Sequence, residues 1–319
     1  MKVKTKLKVA VGVVTLLLGT LGAQAQTLKE AMEAYNAAAK LDNAKNYQEA
    51  LKKYDEAISI YDALGDTGNQ YRMKAADRIP VLQYKYGLEL YKQKKFDETI
   101  KAFIKLEELA QTYNSDEYAK KAKSIIPKLY YAKGKSLMDK GENDAAIEAF
   151  NNAIPEYGMA YIRLAQIYSS QKDEENFSAI INKTLALNQA KLSSTAEKLA
   201  LSFYGKNAAQ ALKDSDYPNA EKYFKELVNY KDEADVYYQL AVVYNKQQKW
   251  DNAIEAANKG LELFTEEGTT KDAKLYFELG SAYKGKGDNT AACEAYKKAA
   301  KGDYEEAANY EIEHTLKCQ

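Results

Sequence analysis

Residues 143–153 read Asn143-Asp144-Ala145-Ala146-Ile147-Glu148-Ala149-Phe150-Asn151-Asn152-Ala153. Ala146, Phe150 and Ala153 are four and three residues apart, which puts them on one face of a helix. The small residues let a second helix approach, and the ring fills the space beside them. The same spacing recurs in Tyr47-x-x-Ala50-x-x-x-Tyr54-x-x-Ala57 and in Asn289-x-x-Ala292-x-x-x-Tyr296-x-x-Ala299. Conservative variants start at Phe96, Tyr217 and Trp250.

About ten residues upstream lies a second helical signature, as in Tyr130-x-x-x-Gly134-x-x-Leu137, Tyr237-x-x-x-Ala241-x-x-Tyr244 and Tyr276-x-x-x-Gly280-x-x-Tyr283. Lys140-Gly141-Glu142-Asn143 and Lys286-Gly287-Asp288-Asn289 lie between the two helices. There Gly ends the first helix and Asp or Asn caps the next. This paired pattern resembles the tetratricopeptide repeat, whose period is about 34 residues. Tyr130, Tyr161, Tyr204, Tyr237 and Tyr276 stand where that family has a Trp. Its small first-helix residue is Ala38, Gly87, Gly134, Ala165, Ala208, Ala241 and Gly280. The resemblance implies an all-α, right-handed α-solenoid of about seven imperfect helix-turn-helix units over residues 26–302.

The spacing is irregular. The second-helix small positions fall at Ala50, Thr99, Ala146, about Phe177, Ala220, Ala253 and Ala292, and the fourth copy can be phased on Phe177 or Ile180. The long steps carry related inserts that end at Ile79-Pro80 and Ile126-Pro127. Asn69–Arg78 and Ser115–Ile125 read as helical, so the first helix of these copies is extended by about three turns. Pro80 and Pro127 then mark either a kink or a restart. No Pro/Gly/Ser linker separates domains. Asp303–Lys317 reads as an amphipathic capping helix within 303–319, closing the stack with a polar outer face.

The N-terminus reads differently. Lys2, Lys4, Lys6 and Lys8 precede an apolar run from Val9 to Leu21, and Ala23-Gln24-Ala25 forms an A-x-A cleavage site. Residues 1–25 are therefore expected to be a secretory signal, since the run is shorter than the roughly 20 residues that span a bilayer. Removing them takes away four Lys and no acid. The whole chain has 46 Lys and Arg against 46 Asp and Glu, so the mature chain would carry a formal charge of −4. No later stretch reads as membrane-spanning. The expected location is the periplasm of a Gram-negative-type cell, with association at the cell surface left open.

Composition narrows the chemistry. The absence of a basic excess argues against a nucleic-acid partner. A single His, His314, leaves little for His-based metal sites or nucleophile relays. Two cysteines are too few for a zinc ribbon. Acid pairs such as Glu107-Glu108 and Glu266-Glu267 read as solvated helix ends. No catalytic residue, metal site or cofactor is expected. Cys293 and Cys318 can oxidise in an exported compartment. A straight antiparallel closing helix, however, would leave them roughly 10 Å apart, too far to bridge without adjustment.

The 27 Tyr, against one Trp and eight Phe, bear on binding. In the family that the pattern resembles, first helices line a concave face. The residue after the scaffold aromatic points into it. That slot holds Tyr35, Tyr84, Tyr131, Ile162, Gly205, Tyr238 and Phe277. Further slots add Leu88, Tyr91, Lys128, Lys135, Met138, Asn245 and Lys284. Tyr suits a groove because it offers a large apolar area with a polar handle. A carboxylate clamp like that of some members is not supported, because Lys128, Lys135 and Asn245 are not in adjacent repeats. The expected function is a non-enzymatic scaffold that binds a protein or peptide segment. A glycan or peptidoglycan binder, and a structural subunit of an envelope secretion or assembly complex, remain as alternatives.

Overall fold

The computed structural model describes residues 27–154, 156–264 and 270–319. The expected signal sequence and the Glu266-Glu267 pair lie outside them. Every regular element among the described residues is helical, and the helices form seven antiparallel hairpins followed by a short cap. The hairpins are α1 (27–43) with α2 (Tyr47–Ala63), α3 (Asn69–Ala76) and α4 (Arg78–Lys92) with α5 (Phe96–Thr112), and α6 (Asp116–Asp139) with α7 (Asn143–Ala153). There follow α8 (Met159–Gln171) with α9 (Glu174–Ala186), and α10 (Ala190–Lys213) with α11 (Tyr217–Val228). The last two are α12 (Ala234–Lys246) with α13 (Trp250–Glu262), and α14 (Ala273–Lys286) with α15 (Asn289–Ala299). The chain is an all-α repeat solenoid. Its contacts gather into two compact units, one ending at Arg163 and one starting at Leu164.

One turn geometry closes all seven hairpins. Lys45, Lys94, Gly141, Lys172, Ser215, Gln248 and Gly287 have φ between +58° and +86°. The residue after each donates its N–H to a carbonyl on the last turn of the first helix: Asn46 to Leu41, Glu142 to Leu137, Asp288 to Tyr283. This is the Schellman arrangement, which satisfies carbonyls that the helix end leaves without partners. Gly supplies the left-handed residue only at Gly141 and Gly287, so the glycine rule read from those two copies does not extend to the other five. Asp288 caps α15, as the Asp-or-Asn rule expects, whereas the N-cap of α7 is Glu142 and not Asn143. The Asp173, Asp216 and Asp288 side chains accept from the N–H groups of Asn176, Asn219 and Ala291.

The packing positions lie where the repeat pattern places them. Ala38, Ala165, Ala208 and Ala241 on first helices, and Ala50, Ala146, Ala220, Ala253 and Ala292 on second helices, have no exposed surface. Tyr54, Phe103, Phe150 and Tyr296 are equally enclosed. Burying rings of this size stabilises by about 2–3 kcal/mol each. Phe177 and Ile181 are fully buried in α9, which phases the fourth copy on Phe177.

The two prolines behave differently. Pro80 is the third residue of α4, where its missing N–H costs nothing, so the helix restarts between α3 and α4. Pro127 lies inside α6, which runs unbroken for 24 residues.

The closing segment departs from the expected single helix. A 3₁₀ turn at Gly302–Tyr304 leads into the short α16 (Glu305–Tyr310), followed by a π turn over Glu311–Thr315. The chain then folds back, and the Cys318 N–H reaches the Ile312 carbonyl. That path, shorter than a straight helix, brings Cys318 to Cys293 with their Cα atoms 5.8 Å apart, and the two form a disulfide. The straight-helix distance expected from the sequence is thereby corrected.

Candidate binding surface

The ring slot of the first helices is held by a repeated contact. Tyr35 meets Tyr54 edge-on with centroids 5.2 Å apart, Tyr84 meets Phe103 at 5.8 Å, and Phe277 meets Tyr296 at 5.3 Å. Tyr131 and Phe150 are tilted at 5.7 Å. All four pairs share one register, with one partner on each helix of the hairpin. Edge-to-face pairs of this kind contribute about 0.5–1.5 kcal/mol beyond area burial. Each slot ring thus spends part of its surface on packing and stays half-buried. The other three copies lack at least one ring at that register: Gly205 is matched with Phe224, Tyr238 with Ala257, and Ile162 with Ile181, where both rings are missing. Ile162 is buried and offers no surface.

In unit 1, a third ring joins two of these pairs. Tyr118 lies 5.6 Å from Tyr84, and Tyr157 lies 4.8 Å from Tyr131. Lys121 sits over both Tyr84 and Tyr118, and Arg163 donates from Nε to the Tyr131 hydroxyl at 3.2 Å. Leu88 packs with Tyr84 against the Phe103 cluster. Tyr91, 44% exposed, touches Phe96 at 6.1 Å. Lys128 lines a cleft of about 370 Å³ with Lys120, Lys123, Pro127 and Tyr157. Lys135 is exposed and Met138 half-buried farther along α6.

In unit 2, Asn245, Phe277 and Lys284 line one cleft of about 470 Å³, together with Val242, Trp250, Glu278 and Ser281. Tyr238 lies in a neighbouring cleft with Phe224 and Lys274. Asn245 donates from Nδ2 to the Glu278 carbonyl at 2.9 Å and to its Oε2 at 2.7 Å. Burial pushes the Glu278 carboxyl above its ordinary range, against the pull of the Asn245 hydrogen bond and of Lys246. Lys284 pairs with Glu311 at 2.7 Å. The Tyr238 hydroxyl bonds to that of Tyr304 at 2.9 Å, and burial raises its pKa. Burial also pushes Tyr296 up to about 12.

The sequence reading missed Tyr118, Tyr157, Glu278 and Tyr304. For the first two, a signal exists in the ring immediately before or within the next first helix. Glu278 shows no pattern of its own. Among the described residues no group of three His, Cys, Asp or Glu could hold a metal ion, and no helix is long and apolar enough to cross a membrane. What the surface offers is pre-positioned aromatic area interleaved with charge. Rings already held on one side lose little freedom when a ligand covers the other.

A family profile described as tetratricopeptide repeat matches residues 232–305, and a second matches residues 127–154. Both stretches carry tetratricopeptide repeats. The matches cover α12 to α15, the start of the closing segment, and most of the α6–α7 hairpin. No curated protein sequence matches the chain. Similar solved structures include the TPR2AB domain of yeast Sti1 in a pHSP90 complex, at 16% identity over 88% of this chain and 94% of that one, TM-score 0.31. The TPR domain of P58(IPK) is 14% identical over 90% and 97%, TM-score 0.34. A tetratricopeptide repeat protein from Parabacteroides merdae is 16% identical over 89% and 96%, TM-score 0.27. Tetratricopeptide repeats are in general protein-interaction modules, and this chain is of that kind.

Proposed function

We propose that the chain is a non-enzymatic scaffold that binds a segment of another protein along a Tyr-rich groove formed by its first helices. The observation that carries this reading is the half-exposed aromatic slot, backed in four hairpins by a second-helix ring at one constant register. In unit 1 the groove is Tyr35, Tyr84, Leu88, Tyr91, Lys128, Tyr131, Lys135 and Met138. In unit 2 it is Tyr238, Asn245, Phe277 and Lys284. Aromatic rings mixed with Lys suit an extended or helical peptide.

The working location is the periplasm, after cleavage behind Ala25, with residues 26–302 as the repeat array and 303–319 as its cap. The basic n-region, the apolar run and the A-x-A site support export. So does the Cys293–Cys318 disulfide, which belongs to an oxidising compartment. The test is crosslinking in cells followed by mass spectrometry, with wild type beside the Tyr84→Ala/Tyr131→Ala variant. Loss of the crosslinked partner from the folded variant is the expected outcome. Unchanged recovery would remove the groove from the contact and favour a structural subunit bound elsewhere.

A further inference from the structure

Unit 2 already has an occupant. Tyr304 places its hydroxyl on Tyr238 and its ring 5.3 Å from Phe277, so one side chain engages the slot residues of two successive hairpins. Glu311, one α16 length further on, pairs with Lys284. Three of the four unit 2 groove residues are therefore met by the chain's own last residues. The segment 303–317 has five acids, Asp303, Glu305, Glu306, Glu311 and Glu313, against Lys317. Its grip is partly apolar: Ala308 is buried with Ala292, Tyr296 and Ala299, and Ile312 and Leu316 pack on that cluster. Only Ala308 is buried in α16, nothing is buried in either short turn, and the Lys284 and Glu311 side chains keep 34% and 19% of their surface. A disulfide fastens the far end. In unit 1 the rings that complete the same slot, Tyr118 and Tyr157, belong to the next hairpin or its connection. Tyr304 belongs to the segment that follows the last hairpin.

We propose that residues 303–317 are a ligand held in cis, and that the unit 2 groove recognises an acidic, tyrosine-bearing helical segment of a partner protein, which displaces them. The proposal rests on the groove reading above and names the chemistry of the partner there. A tether this short gives the cis segment an effective concentration in the millimolar range, so the intact chain favours self-occupancy.

The test uses the full chain with Cys293→Ser and Cys318→Ser in two forms, one otherwise wild type and one also carrying Tyr304→Ala and Glu311→Ala. The probe is a fluorescein-labelled peptide of residues 301–317, read by fluorescence anisotropy. The loosened form is expected to bind at least tenfold more tightly. Lys284→Glu in that form should abolish the gain, and a peptide carrying Glu311→Lys should restore it. Equal binding by both forms, or no response to the charge reversal, would overturn the proposal and leave 303–317 as a plain cap. A second measurement guards against misfolding: in the disulfide-linked chain, Lys284→Glu alone should speed amide exchange at 305–317 and nowhere else. Protection unchanged there would also overturn it. The Tyr84/Tyr131 experiment probes unit 1 with the natural partner, so either result can fail without the other.

Discussion

Gly134 on α6 faces Phe150 on α7 so closely that a Cβ at that glycine would lie 2.7 Å from the ring. Gly87 and Gly280 meet Phe103 and Tyr296 in the same way and at the same register, at 2.6 and 2.9 Å. Gly134→Ala should therefore destabilise by about 1–3 kcal/mol through overpacking. Urea unfolding measures it, and Phe150→Leu in the same chain should recover part of the loss. A simple sum of the two single effects would argue against the contact.

Asp42 is nearly enclosed and accepts from Arg78 at 2.6 Å and Lys85 at 2.9 Å. Burial pushes its pKa up, but those two hydrogen bonds and charges outweigh it and hold the carboxyl below the ordinary 3.8. A depressed pKa in the fold contributes stability above the unfolded value and loses it as pH falls through the folded one. Asp42→Asn should cost about 1–2 kcal/mol at pH 7, since both cations are partly exposed. It should also flatten the acid limb of the stability curve below about pH 4. Thermal melts from pH 2 to 7 report both.

Glu278 has the opposite sign. Its pKa is raised by burial above 4.5, so its charged form is disfavoured in the fold, and stability falls as pH rises from 4.5 through the folded value. Glu278→Gln should stabilise the protein at pH 7, and the gain should vanish below about pH 4. The Asn245 hydrogen bond can be kept by the Gln carbonyl. Thermal melts at the two pH values compare the variant with wild type. A variant less stable than wild type at pH 7 would mean that the carboxylate interaction outweighs burial.

The disulfide closes a loop with a sequence separation of 25. Loop-closure entropy gives it about 3 kcal/mol. Adding a thiol reductant should lower the melting temperature of the wild type and leave the Cys293→Ser/Cys318→Ser variant unmoved. Equal melting with and without reductant in the wild type would deny the bond a stabilising role.

The helix pairs were legible in the sequence because alanines and rings at three- and four-residue steps have few other uses. Tyr54, Phe150 and Tyr296 are buried as that pattern requires. The turns were less legible. A left-handed residue favours Gly by roughly 1–2 kcal/mol, a penalty that hairpin packing overrides at Lys45, Lys94, Lys172, Ser215 and Gln248. The cysteine pair defeats a straight-helix reading because 3₁₀ and π turns re-route the chain between Gly302 and Thr315. On the candidate surface, the slot residues could be numbered from the pattern. The occupancy of Tyr238, Phe277 and Lys284 could not, because nothing in a repeat foretells where the residues after it will fold.

In all seven hairpins, one unchanging interval separates the slot position from the second-helix packing position, as from Tyr84 to Thr99 or Phe277 to Ala292. The hairpins themselves start at uneven intervals. All the slack in this chain is thus taken up ahead of the slot position, in the joins and in the lengthened first helices α6 and α10, and none between slot and packing position. An inserted residue at Gly65–Gly68 or Asn188–Gln189 falls on a join already free to change length. One placed between Gly134 and Phe150 would rotate every ring in its hairpin off its partner. The protein can be lengthened like a string of links, and only ahead of the slot position in each.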